Sequence, residues 1–156
     1  METGGLKEEA SVWGAIFSII AGAAMSVQGV MNTRLGDGIG TMEANAFVQG
    51  TAFVLSLAAL AVYRDGNFAR LGGVNKLYLF GGALGIVITV TVMLGVRALG
   101  PAAAVSVILI AQLFTAAVID ALGLMGSSRE SFGWTKFAGL ALMTAGVLLF
   151  KWQRKV

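Results

Sequence analysis

Residues 10–33 read ASVWGAIFSIIAGAAMSVQGVMNT, 24 consecutive positions without a charged side chain. About 20 apolar residues wound as a helix cross the hydrocarbon core of a bilayer, so this stretch alone sets the class of fold. Its leader, METGGLKEEA, holds three acids and one lysine, the reverse of a basic signal-peptide n-region. The run is also too long for an h-region, and it reads as a retained helix. Further uncharged runs follow at 44–63 and 77–96, each of 20 residues, and at 98–119, of 22; the last meets Asp120 and continues apolar to Gly126. The fifth run, 137–150, has only 14 residues. It spans if its helix starts near Ser131 and Lys136 snorkels to the headgroups, with Trp134 and Trp152 as interfacial anchors. The expectation is an all-α membrane protein, a single domain over 1–156, with five transmembrane helices near 11–33, 43–63, 77–97, 101–126 and 131–152.

Composition agrees. The chain is 57% hydrophobic and 12% charged, where a soluble domain carries roughly 25% charged residues. It contains no cysteine and no histidine. That excludes disulfide scaffolds, thiolate metal sites and cysteine nucleophiles, and removes the commonest metal ligand and general base. No serine sits in an activated setting, so no enzyme, catalytic residue, cofactor or metal is expected. The net charge of +3 is scattered over loops, whereas a nucleic-acid binder gathers its cations on one face.

The loop charges carry a further message. With five spans, successive loops fall on alternate sides of the membrane. The side of the N-terminus has six cations: Lys7, Arg64, Arg70, Lys76, Arg129 and Lys136. The other side has five: Arg34, Arg97, Lys151, Arg154 and Lys155. Lys/Arg asymmetry sets the orientation of multi-spanning proteins. A bias of one sets almost nothing, so the chain is expected to insert both ways up and to pair with an inverted copy of itself.

Helix boundaries carry turn residues: Gly36, Asp37, Gly38, Gly40 and Thr41 after the first span, Pro101 at the first turn of the fourth, and Ser127, Ser128, Arg129 and Glu130 before the fifth. Small residues, among them Gly22, the Gly81–Gly85 pair, Gly139 and Gly146, suit close helix packing in lipid. Polar residues inside the spans are fewer. Gln28 and Asn32 stack one turn apart on the first helix, with Val27 and Val30 assigned to its opposite face. Asn45 and Gln49 are spaced alike on the second, and Gln112 and Asp120 lie on the fourth. Glu43 suits a helix N-terminus. Interhelical hydrogen bonding accounts for single amides, and capping or packing for Asp120. The stacked amides favour a cavity wall, and a lone intramembrane acid is also a candidate for coupling or ligand binding.

The stretch from Gly22 through Gln28, Asn32 and Leu35 to Gly38 resembles the first helix of the YdcZ-like family, five-helix members of the drug/metabolite transporter superfamily. Gly81–Gly82–Ala83–Leu84–Gly85, then Gln112, Ile119–Asp120 and Gly123, resemble its third and fourth helices, and Gly139 with Gly146 its last. The resemblance implies a multi-pass protein of the bacterial inner membrane that forms half of a ten-helix transporter. Such halves occur as dual-topology homodimers, as pairs of opposite orientation, or as fused duplicates. An odd number of spans makes a second copy an inverted repeat, the plan on which many transporters are built. Small multidrug exporters of the same superfamily carry an acid in the first helix, where this chain has only Gln28 and Asn32.

The sequence thus points to a small-molecule transporter, an exporter, working as an antiparallel dimer by alternating access. Its substrate site is expected at Gln28, Asn32, Asn45, Gln49 and Gln112, with Asp120 as the coupling or ligand-binding acid. Its partners are the bilayer, a small-molecule substrate, and itself or an opposite-orientation paralogue. The alternative is a non-transporting membrane subunit, or one half of a heteromeric transporter pair.

Overall fold

A computed structural model describes residues 2–127, 129 and 133–152, without the side chains of 2–10, 150 and 151. Arg154, Lys155, Ser128, Glu130 and Ser131, and the side chains of Lys7 and Lys151, lie outside the described residues. Lipid offers no partner for backbone N–H and C=O groups, so a spanning segment must satisfy them internally. Accordingly the described chain is helical, with no strand among the described residues. Its contacts define two compact units, Met1–Arg97 and Ala98–Val156.

In the first unit, α1 runs from Glu2 to Ile39 and α2 from Thr41 to Val62. The expected turn at 36–41 shrinks to one residue, because Gly36, Asp37 and Gly38 stay helical. Tertiary contacts hold that last turn. A Cβ at Gly36 would lie 3.3 Å from Arg97 Nη2 and 3.4 Å from Met93 Sδ, so the chains approach where no side chain intervenes. Asp37 Oδ1 accepts from Arg97 Nε at 2.8 Å. Gly40 alone breaks the helix, with φ 103° and ψ 147°, a conformation that L-residues with a Cβ rarely adopt. At 22 residues α2 is about 33 Å long, close to the thickness of the hydrocarbon core.

After α2 come two 3₁₀ turns, Phe68–Gly73 and Lys76–Phe80. Each is started by an asparagine: Asn67 Oδ1 accepts from Ala69 N at 2.9 Å and Asn75 Oδ1 from Leu77 N at 3.0 Å. The second turn leads into α3, Gly81–Leu99, giving an apolar helical stretch over Lys76–Leu99. Burial within this unit is confined to the half nearest Gly40, where Ala44 and Met93 are fully enclosed and Val96 nearly so.

In the second unit, α4 spans Pro101–Leu122 and α5 spans Trp134–Trp152, and the two pack together. Pro101 occupies the first turn, as expected, after Gly100 at φ 80°. α4 stops at Leu122, short of the expected Gly126. Gly123 turns left-handed (φ 63°, ψ 36°) and its N–H bonds back to the carbonyls of Ile119 and Asp120, which closes the helix. A single 3₁₀ turn, Leu124–Gly126, takes up the remaining apolar residues. Among the described residues four helical stretches are long and apolar enough to span, and Trp134–Leu149 is a shorter apolar helix. Trp134 and Trp152 are both exposed at the ends of α5.

Candidate functional site

Hydroxyl side chains in the spans are already satisfied. Ser18, Ser26, Thr33, Ser56, Thr91, Ser106, Thr115 and Thr144 each donate to the carbonyl four residues earlier, at 2.7–3.0 Å. A hydroxyl used in this way needs nothing from a neighbouring helix. The amides differ: among the described residues, none of Gln28, Asn32, Asn45, Gln49 and Gln112 bonds to the backbone of its own helix.

Asn32 and Asn45 are buried, at 8% and 7% exposure, beside Thr33 at 5%. They belong to the seam where α1, α2 and α3 converge. On one side of it, a Cβ at Gly29 would come within 3.1 Å of Val92 Cγ1; on another, Gln49 Nε2 donates to Thr89 Oγ1 at 3.5 Å and lies 3.4 Å from the Cβ position of Gly85. Asn45 Oδ1 is enclosed and has no hydrogen-bond partner among the described residues. An acceptor left unpaired costs about 1–3 kcal/mol, which makes Asn45 a candidate to meet a water, a ligand or a second chain.

Gln28 and Asn32 line one groove along α1, with Ile20, Ala24, Val27 and Met31. They do not share an environment: Gln28 is exposed while Asn32 is turned into the seam. Val27, assigned to the opposite face, lines the same groove, because it adjoins Gln28 in the helical winding. Val30 is half-buried and outside it. Gln112 belongs to the second unit and is exposed on α4. Among the described residues, Gln28 and Gln112 make no side-chain hydrogen bond.

Sequence reasoning missed a clamp at the seam's end. Arg97 donates through Nε to Asp37 Oδ1 at 2.8 Å and through Nη1 to Thr41 Oγ1 at 3.1 Å, with Arg34 Nη1 3.8 Å from Asp37 Oδ2. One guanidinium thereby ties the ends of α1 and α3 to the start of α2. The signal lies in the single acid among residues 34–41; in the sequence Asp37 reads as a turn residue and Arg34 and Arg97 as loop cations. Of the small residues expected to pack, Gly85 meets Gln49, whereas Gly22, Gly81, Gly139 and Gly146 face open space.

Asp120 is half-buried on α4. It lines a cavity of about 250 Å³ with Leu113 and Ala117 of α4 and Lys136, Gly139 and Met143 of α5. The carboxylate thus shares an apolar recess with one cation. Among the described residues no three acids gather as a metal set.

Long apolar helices holding a few uncharged amides define a multi-pass membrane protein. Over residues 13–149 the chain matches the family described as "Putative inner membrane exporter, YdcZ", and it belongs to that family. Its location is the inner membrane, and the family description supports a transport role. No curated protein and no solved structure matches the chain.

Proposed function

We propose that two inverted copies of this chain form a ten-helix transporter of the drug/metabolite type, exporting a small molecule by alternating access. The observation that carries this reading is the exposure of Gln28 and Gln112 within apolar spans, without a hydrogen bond among the described residues. Hydrocarbon cannot satisfy an amide, and leaving it unpaired there costs several kcal/mol. A second copy or an aqueous path must therefore cover these faces. In the proposed dimer Gln28, Asn32, Asn45, Gln49 and Gln112 line the path, with Asp120 as its coupling or ligand-binding acid. Walls of this kind suit a neutral, zwitterionic or weakly charged substrate better than a bulky hydrophobic cation.

The test uses the absence of natural cysteine. Cysteine at Gln28 is expected to react with a small water-soluble thiol reagent in membranes and to be protected by substrate. Cysteine at Val30, or at Phe53 on the exposed surface of α2, is expected to stay unreactive. Equal labelling at all three positions, or at none, removes the path.

A further inference from the structure

Residues 63–75 join two consecutive spans and therefore lie at one membrane face. Their backbone is held by the two asparagine-started turns, and they enclose a surface cavity of about 540 Å³. Its lining combines the polar side chains of Arg64, Asn67 and Arg70 with the apolar ones of Leu60, Phe68 and Leu71. Neither guanidinium makes an ion pair or side-chain hydrogen bond among the described residues. The carboxylate of Asp65 also borders the cavity but pairs with neither arginine. Asn67 commits its Oδ1 to the backbone of Ala69, which leaves Nδ2 free to donate. The polar lining thus carries two cations and one amide donor against one acid.

We propose that this cavity holds the headgroup of an anionic phospholipid, with Arg64, Arg70 and Asn67 on the phosphate and Leu60, Phe68 and Leu71 along the upper acyl chain. Guanidinium groups match a phosphate with two parallel N–H donors, and a juxtamembrane position adds the attraction of an anionic surface. Leu60 lies in the last turn of α2, so part of the apolar lining belongs to the span. A water-soluble phosphate would use only half of such a site. Tyr63 and Phe68, 79% and 70% exposed, flank it as amphipathic and apolar rings do at the bilayer interface. A zwitterionic lipid brings its own ammonium, which competes with the arginines for the phosphate.

The experiment is native mass spectrometry on the detergent-purified full chain, offered phosphatidylglycerol, phosphatidylcholine or glycerol 3-phosphate. Wild type is expected to retain phosphatidylglycerol about tenfold over phosphatidylcholine, as two interfacial arginines allow, and to retain no glycerol phosphate at the same concentration. R64Q/R70Q brings the two lipids level, while R34Q, outside the cavity, leaves the preference intact. Should the double variant fail to fold, R64Q and R70Q singly must each lower the ratio. Equal retention of both lipids by wild type, or an unchanged preference in the arginine variants, overturns the proposal. Retention of glycerol phosphate as strong as that of the lipid also overturns it, in favour of a soluble-phosphate site. None of these readouts depends on transport.

Discussion

Asn45 and Asp120 are the residues on which mechanism and stability separate most cleanly. Asn45 carries a buried acceptor without a partner among the described residues, and an acceptor that nothing else reaches costs about 1–3 kcal/mol. Truncation removes that cost along with some packing. Asn45→Ala is therefore expected to leave stability within about 1 kcal/mol of wild type while reducing transport at least severalfold. Melting in detergent and uptake into inverted vesicles measure the two; a large fall in melting temperature with transport intact makes Asn45 a packing residue. Asp120 shares its recess with Lys136. If it couples transport to protons, Asp120→Asn removes the pH dependence of export and leaves the protein assembled. An unchanged pH profile combined with lower thermal stability assigns it to the fold instead.

At the scale of elements, glycine separates contacts made within the chain from those left open. Leucine at Gly29 would drive into Val92, whereas Gly22, two turns earlier, has nothing near it. Gly29→Leu is expected to destabilise the first unit by roughly 1–3 kcal/mol through overpacking. Gly22→Leu should leave the melting of the chain unchanged and weaken cross-linking between copies; equal effects at both sites would mean that α1 has no free face. The same contrast explains what the sequence could convey. Four long spans were legible because charge-free length is a property of the chain itself. The end of α1 was not, since Gly36, Asp37 and Gly38 read as a turn until Arg97, sixty residues on, is seen to hold them helical. The end of α4 was missed for a related reason. Its apolar run continues past Gly123, but the left-handed backbone there ends the helix regardless of hydropathy. In the candidate site the residue types were readable and their environments were not. Gln28 and Asn32 sit one turn apart, yet only Asn32 reaches the seam.

For the whole molecule, the six-to-five division of cations predicts two orientations. C-terminal reporters active on opposite sides of the membrane should both give signal, and two or three lysines added to one side should silence one of them. A single orientation in the wild type would replace the homodimer with a pair made by an opposite-orientation paralogue. Gly40 and Gly100 bear on how such a chain is made. Each is the only residue between two helices, and with five spans both connections fall on the same side of the membrane. In one orientation the chain translocates only the single glycines after α1 and α3 and its C-terminal tail. Inserted the other way up, the chain must instead translocate its N-terminus and the longer stretches 63–75 and 123–133. The two orientations thus differ in translocation work even where their charges balance, and loop length becomes a second, independent setting of how many copies face each way.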